Sequence, residues 1–211
     1  MTTLLLIRHG ESEGNLLRYL AGHFDSPLSE KGFAQAKLTA KFMVENYKVD
    51  KIYASDLQRA YKTAQEFASI VQLPIQKDEG LREIDAGIRT GLKYDDYAKQ
   101  FPEEYTTWKT DAGKLKFIGG ESVSQMADRF WKKLNEIAKE NDGKTVAVFS
   151  HATTIKSVYC RLLGIDVLDM QKAPWGDNAS INILTIDEGK GTLVEWNIVR
   201  HVGELLTRVQ I

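Results

Sequence analysis

Cysteine is almost absent from the 211 residues: Cys160 stands alone, so no intrachain disulfide can staple the fold. An excess of charge of either sign is also lacking. Lys plus Arg total 28 against 29 for Asp plus Glu, a formal net charge of −1, and no overall positive field exists to hold nucleic acid or an anionic membrane. Any anion must therefore meet a local basic cluster. Long apolar runs are missing too. The start, MTTLLLIRHG, offers only Leu4 to Ile7 before Arg8, too short for a signal peptide, and no segment is long and apolar enough to span a bilayer. A cytoplasmic location is expected, with no membrane or nucleic-acid partner. At 43% hydrophobic and 27% charged, the chain suits a single domain over residues 1–211, with a core large enough to sustain it and room for a small insertion.

What is present alternates between strand and helix signals. Leu4 to Ile7 is a short continuous apolar run, the pattern of a strand buried on both faces, and polar HGESEGN follows it. Ser29 stands where an N-cap belongs, ahead of Phe33, Ala36, Ala40 and Met43 at helical spacing, which predicts a helix to about Tyr47. Lys51 to Ser55 reads as a second strand. Leu57, Ala60, Tyr61, Ala64, Phe67 and Ala68 form the next helical stripe, broken by Pro74 before an extended stretch around Ile75. Met126 to Ile137 is another helix, Thr145 to Phe149 another buried strand, and Ala152 to Leu163 a helix that Gly164 stops. Ser180 to Ile186 and Thr192 to Asn197, joined through Glu188 to Gly191, read as a β-hairpin. This order predicts an α/β three-layer sandwich on a mostly parallel sheet. Gly87 to Gly119 is polar, aromatic and aperiodic, the candidate insertion over one end of the sheet. There is no internal repeat, low-complexity tract or linker.

Ligands of open α/β sheets bind beyond the carboxyl ends of the strands, where helix N-termini also direct free N–H groups. Three expected strand ends carry unusual residues: Arg8-His9, then Ser55-Asp56 with Arg59 in the next helical turn, then Ser150-His151. A lone arginine is usually a solvated surface group and a lone histidine usually a hydrogen-bonded structural one. Two of each at equivalent strand ends is a different matter. Arginine forks suit phosphate oxygens, and a neutral imidazole, available near pH 7 with a pKa of about 6.5, can attack phosphorus. Neighbouring Arg8 and Arg59 help keep the imidazole neutral. A metal reading of His9 and His151 lacks support, because no HExxH, CxxC or ligand-spaced histidine pair exists and only His23 and His201 remain.

Leu6-Ile7-Arg8-His9-Gly10-Glu11-Ser12, followed by Asn15, resembles the signature of the histidine phosphatase superfamily, the phosphoglycerate mutase-like enzymes. Further blocks agree in order: Gly22, Asp25, Pro27, Leu28, Ser29 and Gly32; then Ser55 to Ala60 with Thr63-Ala64; Leu81-Arg82-Glu83 with Gly87; Gly120-Glu121-Ser122; and Ser150-His151-Ala152. The resemblance covers Leu4 to about Leu163. It implies that His9 becomes phosphohistidine, that Arg8, Arg59 and His151 hold the transferring phosphoryl oxygens, and that Asn15, Gly22 and Ala152 add contacts. Glu83 matches the acid that protonates the leaving oxygen and then activates water. Its opposing protonation demand against neutral His9 implies a broad acidic-to-neutral optimum. With fixed arginines supplying the charge, no metal or other cofactor is required.

The remaining aligned residues read as structural: Asp25, Ser29 and Asp56 as turn and capping groups, Gly32 and Gly87 as turn glycines, Glu121-Ser122 as a helix start, Cys160 as core. Tyr94, Tyr97, Tyr105 and Trp108 form either an apolar lid or a satellite cluster. Departures from the mutases matter as well. Ile84 follows the acid where they carry arginine, no arginine occurs from Tyr94 to Phe117, only lysines such as Lys99, Lys109, Lys114 and Lys116, Ala21 replaces a polar residue, and Arg89-Thr90-Gly91 stands for W-E-G. The expectation is a metal-independent phosphomonoesterase acting on a small phosphorylated metabolite, with a cofactor-dependent phosphoglycerate mutase or a catalytically weak phosphate-binding regulatory protein as alternatives. A homodimer is compatible with the patterning, although no surface for it can be read from it.

Overall fold

The computed structural model describes residues 1–207. Along the chain lie β1 (Thr2–Arg8), α1 (Glu13–Leu16), α2 (Glu30–Asn46), β2 (Lys51–Ala54), α3 (Gln58–Val71), β3 (Ile75–Lys77), α4 (Tyr94–Gln100), α5 (Pro102–Thr110), α6 (Val123–Glu140), β4 (Thr145–Ser150), α7 (Ala152–Leu162), β5 (Ile181–Asp187) and β6 (Lys190–Ile198). The strands form one sheet in the order β3-β2-β4-β1-β5-β6, in which β3, β2, β4 and β1 pair in parallel and β5 runs antiparallel to both neighbours.

Period-two alternation in β1 explains the three layers. Leu4 and Leu6 point to one face, where Phe130, Leu134 and Ile137 of α6 and Ile155 and Val158 of α7 cover them; Leu5 and Ile7 point to the other, under Ala40 and Met43 of α2 and Ala64 and Phe67 of α3. All four are at most 1% exposed, and burial of each stabilises the fold by about 1.5–3 kcal/mol. Caps then set helix starts. Ser29 accepts from Gly32 N–H at the head of α2, and Ser122 forms a reciprocal capping box with Gln125 at the head of α6. Gly164, at φ +68°, follows α7, and the hairpin turns on Glu188 and Gly189, both at positive φ, a backbone that matches the twist of the paired strands.

Two readings of the sequence change. The stretch from Gly87 to Gly119 is not without regular structure: it holds α4 and α5, whose short lengths and aromatic content hide a helical stripe. Gly32 is not a turn glycine. It lies in the first turn of α2, and a Cβ there would meet the Glu11 carbonyl oxygen at 1.9 Å, so its role is the close approach of α2 to the loop after β1. Gly87 combines both demands, with φ +53° and the Ile118 carbonyl 2.3 Å from the place of a Cβ.

Register places the site. Arg8 pairs with Ser150 across β1 and β4, so the next residues, His9 and His151, leave the sheet side by side at one rim; Ala54 of β2 pairs with Phe149, bringing Ser55 to the same edge. After β1 the chain turns to α2 on one face, and after neighbouring β4 it turns to α7 on the other, which opens a crevice between them. Substituting Gly32→Ala therefore forces the loop after β1 from α2. The expected result is a loss of about 1–3 kcal/mol in urea unfolding with activity falling in parallel; unchanged stability would contradict the close-approach role.

Candidate active site

Two buried cations define this rim. Arg8 is 4% exposed and Arg59 1%. Arg59 donates from Nη1 to the Phe24 carbonyl and from Nη2 to the Gly22 carbonyl, each at 2.9 Å, while Arg8 donates from Nη1 to the Gly176 carbonyl at 2.7 Å and leaves its Nε–H without an acceptor. Among the described residues neither guanidinium forms a salt bridge. Burial pushes both down to about 10, still cationic at neutral pH. Carbonyl oxygens thus aim the forks without neutralising them.

His9 stands between these cations. Its Nδ1 lies 2.6 Å from the Gly10 carbonyl oxygen, which can only accept, so Nδ1 carries the proton and Nε2 keeps the lone pair. Burial, with Arg59 and Arg8 nearby, holds the imidazole well below the usual histidine range. The backbone behind it is tied down: the His9 carbonyl accepts from Ala179 N–H and Asn178 Nδ2, each at 3.1 Å, and Gly10 N–H donates to Thr63 Oγ1. His151 is fully buried with its ring centre 5.2 Å from that of His9, and neither of its ring nitrogens has a partner. Its imidazole is also held well below the usual range, by burial first and then by Arg59. Among the described residues these two nitrogens and the Arg8 Nε–H, all buried, are polar groups gathered around the His9 ring without hydrogen-bond partners.

Glu83, 9% exposed, enters from the loop after β3. Its Oε1 accepts from Ile84 N–H at 3.0 Å and Thr154 N–H at 3.3 Å, and its Oε2 from Thr153 N–H at 3.0 Å, so the first turn of α7 orients the carboxylate. Asn15 turns Oδ1 toward the Ser12 backbone N–H, which leaves its amide nitrogen as the available end. Gly22, at φ +45°, and Ala152, at the N-terminus of α7, supply backbone. Arg8, His9, Asn15, Gly22, Arg59, Glu83 and Ala152 all line one cavity of about 460 Å³. His151 lies behind this lining, against His9.

The other residues read as structural take structural places, although Asp56 forms an ion pair where a turn or capping group was expected. Asp25 Oδ1 caps α3 by accepting from Gln58 N–H, Asp56 pairs with Arg82, Glu121 pairs with Arg129, and Cys160 is buried and free. The four aromatics divide between the two readings: Tyr94 and Trp108 line the cavity, whereas Tyr97 packs with Phe101 and Tyr105 away from it. Arg89 faces inward to Glu104 at 2.9 Å rather than to the cavity, and Ala21 lines the cavity as a methyl. Thr63 stood in an aligned block without a role, and the sequence did not reveal Trp175, Gly176 or Asn178. The last three lie in the weakly patterned loop before β5, and Trp175 covers Lys156, whose ammonium sits 3.9 Å from the ring centre and is pushed down to about 8 by burial. No periodicity or motif signals such contacts.

The chain is similar to known proteins in both sequence and fold. The sequence model of the histidine phosphatase superfamily (branch 1) matches residues 4–199. Phosphoserine phosphatase 1 of Hydrogenobacter thermophilus is 35% identical over 207 residues, 97% of this chain and 96% of that protein. Bacillus stearothermophilus YhfR superposes with a TM-score of 0.91 at 28% identity, over 96% of this chain and 100% of that one. Phosphoserine phosphatase from Entamoeba histolytica, solved in complex with 3-phosphoglyceric acid, gives a TM-score of 0.81 at 29% identity, over 96% and 100% of the two chains.

The two depressed imidazoles make stability depend on pH. Below about pH 6.5 the unfolded chain binds protons at His9 and His151 that the native state refuses, so their contribution is present above that value and is lost as pH falls. In phosphate-free buffer Tm should drop between about pH 7 and pH 5.5, and the drop should be shallower in His151→Gln. Identical slopes for the two proteins would contradict this assignment.

Proposed function

The chain belongs to the histidine phosphatase superfamily (branch 1) and is a phosphoric monoester hydrolase of the phosphohistidine type; on that premise we propose that His9 is the residue phosphorylated and Glu83 the general acid and base. The observation that carries the assignment is the lone pair of His9 Nε2 flanked by two buried, unneutralised guanidiniums and by His151 with both nitrogens unpartnered. A phosphoryl dianion can accept from the guanidinium N–H groups and from the one N–H of a neutral His151.

The first half-reaction forms a bond from Nε2 of His9 to phosphorus while the phosphorus–oxygen ester bond breaks, and the leaving alkoxide takes the proton of the Glu83 carboxyl to depart as an alcohol. Arg8, Arg59 and His151 hold the equatorial oxygens as charge redistributes, and donors fixed by the fold do this without reorganisation. The second half-reaction reverses the roles: water loses a proton to the Glu83 carboxylate, its oxygen bonds to phosphorus, and the nitrogen–phosphorus bond breaks to release inorganic phosphate. Asn15, Gly22 and Ala152 line the same space and contribute polar and backbone contacts. Residues 87–119 act as the cap of a single domain, with Tyr94 and Trp108 over the leaving group.

A cavity of about 460 Å³ suits a small metabolite rather than a phosphoprotein. The names of the relatives support a small phosphorylated acid such as phosphoserine. The mutase reading gains no support from the cap, because none of Lys99, Lys109, Lys114 and Lys116 lines the cavity.

With p-nitrophenyl phosphate in EDTA, wild type should release phosphate and His9→Ala should not; substantial turnover by that variant would remove the covalent mechanism. Glu83→Gln should lower kcat for an alkyl phosphate by about 10²- to 10⁴-fold. The loss should be much smaller for p-nitrophenyl phosphate, whose leaving group needs little protonation. Equal losses for both would argue against the acid role.

A further inference from the structure

A third arginine lines the cavity besides the two of the rim. Arg8 and Arg59 lie at its floor, and Arg18 also lines it, from the segment that follows α1. Among the described residues Arg18 has no carboxylate partner. Its backbone sits at φ +60°, the left-handed region that disfavours side chains, and neighbouring bonds impose that conformation: Arg18 N–H donates to the Asn15 carbonyl, Tyr94 N–H donates to the Arg18 carbonyl at 2.9 Å, and Leu20 N–H donates to the Leu92 carbonyl at 2.8 Å. The segment is thereby strapped to the cap. The guanidinium carbon lies 5.7 Å from the centre of the Tyr94 ring, whose own position is fixed by Trp108 at 4.7 Å. Burial raises the Tyr94 hydroxyl, while Arg8 and Arg18 both draw it back, so the one phenol lies within the influence of the floor cation and the mouth cation.

We infer that Arg18 reads a carboxylate on the substrate, and that the class of substrate is a phosphomonoester with a carboxylate a few bonds from the ester oxygen. This rests on the proposed function, since it takes the phosphoryl end to lie at His9. A guanidinium fork held against an aromatic face matches the two oxygens of a carboxylate. Among the described residues the cavity gives no comparable partner for an ammonium. Its carboxylates are Glu83, bound to three backbone N–H groups, and Glu11, whose two oxygens accept from Ser29 and Thr207. Recognition is therefore of the acid and not of the amine, and phosphoserine and 3-phosphoglycerate are equivalent in this respect.

The test compares kcat/KM of wild type, Arg18→Met, Arg18→Lys and Lys31→Met on phosphoserine, 3-phosphoglycerate, phosphoethanolamine and p-nitrophenyl phosphate. Lys31, the other cation at the mouth, serves as the control. Arg18→Met should lower kcat/KM for the two carboxylated substrates by about tenfold or more, chiefly through KM, and leave the other two within about twofold. Arg18→Lys should recover part of the loss. An equal loss on all four substrates would overturn the inference by making Arg18 a brace of the strap, and so would a carboxylate-selective loss in Lys31→Met alone. A wild type that hydrolyses p-nitrophenyl phosphate but prefers neither carboxylated ester to phosphoethanolamine would overturn it while leaving the His9 reading intact. Release of phosphate by His9→Ala would instead remove the proposed function on which it rests.

Discussion

Uncompensated positive charge at the carboxyl end of the sheet is the constraint on which the rest of the site depends. Arg8 and Arg59 are both buried and both held by carbonyl oxygens instead of carboxylates. Taking such ions out of water costs several kcal/mol each, and a carboxylate partner would offset that cost in the free protein. It would also fill the place that a phosphoryl group occupies. Burial, and after it these two charges, keep His9 and His151 neutral, so the arrangement that attracts a dianion also preserves the lone pair that attacks it.

Parallel pairing turns this electrostatic demand into geometry. One register, Arg8 opposite Ser150, sets His9 beside His151, and slippage by a single residue would separate them and reverse every core side chain of β1. Around that edge the supports are backbone groups: the carbonyls of Gly22, Phe24 and Gly176 aim the arginines, and the N–H groups of Ile84, Thr153 and Thr154 aim Glu83. The proposed carboxylate recognition lies elsewhere, on Arg18 and the segment that follows α1. Chemistry built on strand ends and recognition built on loops can change independently.

The layers, the mostly parallel sheet and the rim of arginines and histidines were legible because each rests on a local pattern. Continuous apolar runs mark strands covered on both faces, and helical stripes after Ser29 and Leu57 mark the helices that cover them. The two short helices of the cap were not legible, since α4 and α5 bury few apolar residues and α5 buries none fully. Gly32 was misread because a close backbone approach leaves no trace in sequence beyond the glycine itself. Gly176 and Asn178 escaped because their contacts cross more than a hundred residues of chain, and Trp175 because its place depends on where a weakly patterned loop falls. Glu83 was identified by its place in a family pattern, and its three N–H donors became visible only in three dimensions.

The most direct test of the account is to trap the enzyme during turnover. After rapid mixing with substrate and an alkaline quench, which preserves a phosphorus–nitrogen bond, the position of any covalent phosphoryl group is mapped by tandem mass spectrometry, and the ring nitrogen is identified by phosphorus NMR. The account predicts one acid-labile phosphoryl group per chain, on Nε2 of His9. Phosphate release by an active enzyme with no such adduct, or with the phosphoryl group on another residue, would contradict it.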